Sequence, residues 1–405
     1  MPGIISKIRR ELSFIRGNML IIIVTYGINR FVNAMHGPFK SLYFRELGAS
    51  PLLIGLMSSV GFIILALIRI PGAYIVDKHG RKKIMVTFTY GVAFSLLIFA
   101  FAPDWRFLVI GTAIFYLSHI YQPALQAIEA DSMPREKRGM GYSAIQVLPM
   151  IPSIVSPVLG GYMVERMGLE QGMRIAFVFA FLGLLATAIL RTLFLKETLE
   201  DAEELRLRDL ASGFKDSLGS IYEAWKTMPR RFNHYIIILL FGSVGRLLHD
   251  LFLALYAMDV IGVTSLQWSL IGTAQIAVSI VVGLPVGWVV DKIERKRALM
   301  LGHLLSAPIL FLILGSRGFI PLLFLMISSS VAIRIQLTSF TAEQADLIPK
   351  EMRGRLMGMM GTVGILWWAL VSSVFGFLYQ IDPVKTFILT IIFDLATIAI
   401  ILFRY

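Results

Sequence analysis

Apolar runs long enough to cross a bilayer follow one another from residue 18 to residue 403. Residues 387–403, FILTIIFDLATIAIILF, are typical, with Asp394 as the one charge in the run. A transmembrane helix takes about 20 such residues. Inside lipid each backbone N–H and C=O must be bonded within its own segment, which leaves the helix as the spanning form here. Twelve spans are expected, at 18–46, 51–76, 83–102, 105–131, 139–166, 172–194, 232–260, 266–290, 297–315, 319–346, 354–380 and 383–403. The fold class is therefore an all-α membrane protein. Charged residues make up 16% of the chain, against about 25% in soluble domains, so the 405 residues count spans rather than soluble domains. Cysteine is absent, which excludes a disulfide framework and a thiolate nucleophile, and no metal site is expected. The basic opening, MPGIISKIRRELSFIRGNML, runs into an apolar stretch after Asn18 that is too long for a signal peptide and is read as the first helix.

The net charge of +12 is unevenly placed. One set of loops holds Lys7, Arg9, Arg10 and Arg16, then Lys78, Arg81, Lys82 and Lys83, then Arg135, Lys137 and Arg138. The same set continues with Lys292, Arg295, Lys296 and Arg297, then Lys350, Arg353 and Arg355. The other set has little beyond Arg45, Arg106, Arg166, Arg174, Arg317 and Lys385. Lys and Arg gather in cytoplasmic loops. Both termini are expected in the cytoplasm of a multi-pass plasma-membrane protein, with the lipid bilayer as a partner. The charge then reports topology, and nucleic acid is not an expected partner. The longest polar stretch, KETLEDAEELRLRDLASGFKDSLGSIYEAWKTMPRR (196–231), mixes both charge signs among helix formers. It is read as a cytoplasmic linker with an amphipathic helix on the membrane surface.

The chain repeats itself. RIPGAYIVDKHGRKK (69–83) aligns with GLPVGWVVDKIERKR (283–297), and ADSMPREKRGMG (130–141) with ADLIPKEMRGRLMG (345–358). Two pseudo-symmetric six-helix bundles follow, 1–195 and 232–405, joined by the linker 196–231. Internal repeats with a site between the halves are the construction rule of secondary transporters.

Polar residues inside the spans form stripes, and ionisable groups in lipid are presumed functional. The first helix carries Asn29, Arg30, Asn33 and His36; the fourth carries His119, Gln122, Gln126 and Glu129. The seventh carries Arg246, His249 and Asp250, and the tenth Arg334, Gln336, Thr338, Thr341 and Glu343. Arg246 stands four residues before Asp250, so an intrahelical ion pair is an alternative to a functional role for both. Glu129 and Glu343 lie near helix ends and can also be read as facing the loops. Lys40 is read as snorkelling to the surface, and Arg191 and His303 as structural. Asp250 is the first choice for a proton-carrying group, because burial and a neighbouring cation pull a carboxyl in opposite directions. His36, His249 and Glu129 are the other proton-coupling candidates.

The repeat and its charged knots resemble the major facilitator superfamily, whose loop signature runs Gly-x-x-x-Asp-Arg/Lys-x-Gly-x-Arg/Lys-Arg/Lys. Asp77, Lys78, Gly80, Arg81, Lys82 and Lys83 match it, as do Gly287, Asp291, Lys292, Arg295, Lys296 and Arg297. Ala73 stands where the first copy's glycine belongs, and Glu294 replaces the inner glycine of the second. The resemblance implies that helices 1, 4, 7 and 10 line a central substrate cavity. The cavity residues would then be Asn29, Arg30, Asn33, His36, His119, Gln122, Gln126, Arg246, His249, Asp250, Arg334 and Thr338. It also implies a cytoplasmic latch. Asp77 would meet the start of helix 11 near Gly354–Gly358, and Arg81 would pair with Asp131. Asp291, Arg295 and Asp346 would do the same against helix 5 near Gly139–Gly141.

These features are read as a secondary active transporter working by alternating access, with proton-coupled efflux of drug-like or metabolite substrates. Ser156, Pro157, Gly160 and Gly161 match part of the family's exporter motif in helix 5, while Gly111 and Phe115 stand where its helix 4 motif places Arg and Gly. Uptake or exchange of an organic anion is the alternative, supported by Arg30, Arg246 and Arg334. A non-transporting receptor or an enzyme is the remote one: no HExxH, GxSxG or phosphate loop is present, so enzymatic activity is not expected. A small-molecule substrate, a proton or ion gradient in place of a cofactor, and a monomer complete the expectation.

Overall fold

The computed structural model describes residues 15–199, 226, 230–348 and 353–405, and these are helical without strands. The principal helices are α1 (Asn18–His36), α2 (Pro51–His79), α3 (Arg81–Ala100), α4 (Trp105–Asp131), α5 (Arg138–Met167) and α6 (Leu169–Phe194). After residues 200–225 and 227–229, which lie outside the description along with most of the expected amphipathic linker, come α7 (Arg231–Ile261) and α8 (Ser265–Val281 and Gly283–Lys292). The remaining helices are α9 (Arg295–Gly315), α10 (Phe319–Leu347), α11 (Arg353–Ile381) and α12 (Pro383–Phe403). Ten of these are long and apolar enough to span a membrane, and α8, bent by 49°, makes an eleventh. α1, the twelfth principal helix, falls short of that measure, its apolar character diluted by Asn29, Arg30, Asn33 and His36. It ends at His36, and the expected continuation to residue 46 is a 3₁₀ turn, Gly37–Phe39, followed by a short helix, Lys40–Glu46.

Call the end carrying Arg81 and Arg295 the basic face and the other end the far face. The chain turns on the far face with the same local chemistry in each repeat. Gly48 and Gly262 both have positive φ, 89° and 81°, a conformation that L-residues with a Cβ resist. Two residues later Ser50 and Thr264 cap α2 and α8, accepting from Leu53 N and Gln267 N at 3.3 Å each. In α8 the Gln267 side chain answers Thr264 N, closing a capping box.

The halves meet through two small-residue crossings toward the far face, α2 on α11 and α5 on α8. A Cβ at Gly376 would lie 2.7 Å from Pro51 O and 3.0 Å from Gly55 Cα. One at Gly161 would strike the Ser269 side chain, and Thr273 Oγ1 donates to Ile154 O at 2.9 Å. Small residues let helix backbones approach closely where lipid offers no hydrophobic drive. Toward the basic face α5 and α8 part: a Cβ at Gly139, Gly283 or Gly287 would meet nothing within 4 Å.

α3 starts after Gly80 with no side-chain cap of its own. Glu197, just beyond α6, supplies one, accepting from Arg81 N at 3.1 Å and Lys82 N at 2.9 Å. Burial raises the Glu197 carboxyl, but the backbone donors of Lys82, Leu199, Thr198 and Arg81 outweigh it and hold the group below its ordinary range. Glu197→Ala is expected to lower stability by ~0.5–1 kcal/mol, at the modest end because the group is exposed. The contribution is present above the unfolded carboxyl pKa of about 4.3 and falls away as pH drops through the lower folded value. Detergent unfolding of the variant at neutral and acid pH checks both; equal stability to wild type at neutral pH would remove the cap.

Candidate functional site

Between the halves lies a cavity of about 690 Å³. Arg30 of α1, Gln146, Met150 and Pro157 of α5, and Arg246, His249 and Asp250 of α7 line it. Gln275, Ile276 and Ser279 of α8 and Ser330 and Arg334 of α10 close the ring, with Trp268 toward the far face. Arg334 is fixed by bonds to Ser279 O at 2.9 Å and Ser279 Oγ at 2.8 Å. Arg246 stands over the Trp368 ring at 5.8 Å, and that indole donates to Ser243 Oγ at 2.9 Å. Three guanidinium groups thus face one carboxylate in a largely apolar chamber, an arrangement suited to a substrate carboxylate.

In α7 the register changes at the site. His249–Leu253 and Ala257–Ile261 are π-helical, and such bulges recur at functional sites. Asp250 lies 3.4 Å from His249 Nδ1, and His249 Nε2 is 3.3 Å from Gln275 Nε2. No Arg246–Asp250 ion pair forms among the described residues; the pairing left open by the four-residue spacing is absent where the helix widens into a π-turn.

The expected cavity set divides. Arg30, Arg246, His249, Asp250 and Arg334 line the large cavity. Asn29, Asn33, His119, Gln122 and Gln126 instead line a second chamber of about 360 Å³ inside the first half, with Tyr26 and Tyr121. The α4 stripe is real, but a 3₁₀ turn at His119–Tyr121 redirects it toward α1, α3 and α6. His36 lines neither space: it is buried on Phe177, ring centroids 4.7 Å apart, with neither ring nitrogen bonded. Thr338 is half-buried and lines neither. Lys40 does not snorkel. Its ammonium lies 5.4 Å from the Phe44 ring and 5.7 Å from those of Phe99 and Phe115, where aromatic faces take the place of water.

Glu129 and Glu343 turn inward, not toward the loops: they are 7% and 1% exposed. They stand 214 positions apart, one residue out of register, since the alignment of 130–141 with 345–358 sets Glu129 opposite Gln344. Glu129 accepts from the Tyr26 hydroxyl of α1. Glu343 accepts from Tyr405 at the end of the chain and from Arg231 Nη2 at 2.9 Å.

At the basic face Arg81 pairs with Asp131, and Arg295 with Asp346 at 3.1 Å and Asp291 at 3.3 Å. Both sets stay within their own half. The Asp77 side chain and residues 349–352 lie outside the description, and Gly358 has open space around it. Arg69 packs its guanidinium on Gly361 of α11. On the far face Arg45 and Asp259 form a two-pronged ion pair between the halves, one prong from Nη2 to Oδ1 at 2.9 Å.

Gln275 and Ser279 escaped the sequence reading although they share one face of α8; neither is ionisable. The π-helical turns leave no mark in α7, which lacks proline there. No group of three or more His, Cys, Asp or Glu side chains fit to hold a metal occurs among the described residues.

The sequence profile of the Major Facilitator Superfamily matches residues 22–372. Over 282 residues the chain is 26% identical to the "Multidrug resistance protein MdtG" of Dickeya zeae, covering 67% of this chain and 66% of the relative. It is 24% identical over 251 residues to a "Na(+), Li(+), K(+)/H(+) antiporter" of Planococcus maritimus, 58% of each chain. Those matches span about two thirds or less of the relatives' own length. Among solved structures, a POT family transporter in complex with 5-aminolevulinic acid superposes with a TM-score of 0.76 at 14% identity, covering 95% of this chain and 94% of the other. A bacterial homolog of the human lysosomal transporter Spinster, in an inward-facing and occupied conformation, does so with a TM-score of 0.76 at 13% identity, 95% of each chain. At that identity the likeness is one of fold.

Proposed function

The chain belongs to the major facilitator superfamily, and on that premise we propose that it exports amphipathic solutes carrying both a carboxylate and a cationic group, in exchange for protons. The basic face is then cytoplasmic, and the cavity between the halves, parted there and held shut on the far face, is in its inward-facing state. The observation that carries the reading is the cavity's charge pattern. Arg30 and Arg334 offer guanidinium forks to a carboxylate, and Asp250 offers a carboxylate to a cation. A proton and the substrate's cation compete for Asp250, and that competition is the physical basis of exchange. Relatives named as multidrug resistance protein and as cation/proton antiporter support efflux and exchange.

The test uses purified protein in liposomes made acidic inside, offered rhodamine B, which has a carboxylate and a cationic ring, and its isomer rhodamine 6G, an ethyl ester that has only the cation. Accumulation of rhodamine B is expected to exceed that of the ester. Arg334→Gln should reduce it about tenfold, the worth of one charge-assisted bond. Equal handling of both dyes, or an unaltered variant, would sink the carboxylate assignment. Accumulation only in liposomes made alkaline inside would favour the second reading, proton-linked uptake of an organic anion, for which the excess of three arginines over one aspartate speaks.

A further inference from the structure

α9 and α12 hold a second acid–base pair. His303 Nδ1 lies 2.8 Å from Asp394 Oδ1, with the two side chains 0% and 3% exposed. Neither belongs to the large cavity. Asp394 is a mid-span carboxyl and the one charge from residue 387 to 403, and an acid at that depth is expensive unless it works. The pair is incompletely satisfied. Gln336 Nε2 reaches His303 Nδ1 at 3.3 Å and Gly302 O at 3.1 Å, but His303 Nε2 and Asp394 Oδ2 have no hydrogen-bond partner.

A chamber of about 20 Å³ adjoins Asp394, room for about one water. Its walls include Gln336, Asp394, Arg246 and His249. Arg246 and His249 also line the large cavity. The same two side chains therefore stand between the buried pair and the substrate space. The matching place in the first half cannot do this. Thr89 stands 214 positions before His303, and its hydroxyl accepts from Arg191 Nη1 at 2.9 Å.

We propose that the His303–Asp394 pair is a proton-binding site coupled to the substrate cavity through Arg246 and His249. This rests on the proton-exchange reading above. The loaded pair holds one proton more than the unloaded pair. When that proton leaves through the small chamber, the pair carries one negative charge, and Arg246 is the facing cation that balances it. The other titratable groups packed around the pair are His249 and Tyr235 of α7; Tyr235 donates to Phe340 O at 2.8 Å, and Phe340 lies against the His303 ring at 6.0 Å. Glu343, further along α10, is bound to Arg231 and Tyr405.

The test compares wild type, Asp394→Asn, Asp394→Glu and His303→Gln as full-length protein in liposomes. Two readouts with rhodamine B are taken: accumulation driven by an imposed pH gradient, and counterflow at equal pH. Asp394→Asn and His303→Gln are expected to lose gradient-driven accumulation about tenfold while keeping counterflow within about threefold, and Asp394→Glu to recover the former. Infrared difference spectra on a pH step should show a carboxyl band that Asp394→Asn removes. Retained counterflow shows that the variants are folded, so a purely structural role would lower both readouts together and overturn the proposal. Wild-type gradient response in Asp394→Asn, or an unchanged infrared band, would overturn it while leaving the exporter reading intact. A wild-type protein indifferent to any pH gradient would remove both.

Discussion

Replacing Arg45 by aspartate is expected to drive the protein out of the conformation described, in which the cavity is shut on the far face. Arg45 and Asp259 are 38% and 40% exposed, so the pair by itself contributes only ~0.2–1 kcal/mol. Reversal does more than delete it, because two carboxylates are then forced together where the halves touch. A penalty of ~1–3 kcal/mol corresponds to a population shift of roughly 5–150-fold. The chain has no cysteine, so one introduced at Ser330, in the cavity wall, reports access without background. Labelling from the basic face should fall and labelling from the far face should rise. The swap Arg45→Asp with Asp259→Arg should restore the original pattern, and high salt should blunt the difference. Unchanged labelling in the single reversal would show that the pair does not hold the halves.

Gly55→Val is expected to have the larger effect on stability. A Cβ there would meet Ser372 O and lie 2.8 Å from Gly376 Cα and 3.0 Å from Gly376 N. Those are backbone atoms and cannot swing aside. Overpacking costs ~1–3 kcal/mol, and more when no rotamer relieves it. The α2–α11 crossing must then open, which lowers the unfolding temperature in detergent and admits label from the far face. Gly358→Ala is the contrast, since nothing lies within 4 Å of its Cβ. It should be neutral or slightly stabilising, because alanine loses less chain entropy in a helix. Equal loss in both variants would mean that glycine's flexibility, and not close approach, is what Gly55 provides.

The class of fold was legible because the bilayer reduces the problem to counting apolar runs, and the repeat supplied the pairing of loops. Its reach extends to turn chemistry, where Gly48 and Ser50 repeat as Gly262 and Thr264. The site was legible only in part. The polar residues were visible in the spans and the resemblance implied that they face a cavity; Arg30, Arg246, His249, Asp250 and Arg334 line one. His119, Gln122 and Gln126 line the second chamber instead, at and beyond the 3₁₀ turn His119–Tyr121. The four-residue spacing left open an Arg246–Asp250 ion pair, which is absent where α7 takes a π-helical turn. Such changes of pitch depend on packing between helices distant in sequence, so no local pattern announces them. Lys40 failed for a related reason: three phenyl rings that substitute for water come from its own short helix, Lys40–Glu46, from α3 and from α4.

Arg45 and Asp259 are 214 positions apart, the same interval that separates Gly48 from Gly262 three residues further on. Each is therefore the other's counterpart in the duplication, and they touch because both sit on the axis relating the halves. Two identical subunits arranged about such an axis would bring arginine against arginine, or aspartate against aspartate. An attractive bond at that place is open only to a fused chain whose copies mutate independently. The clasp thus requires that the two repeats differ, and no pair of identical halves could make it.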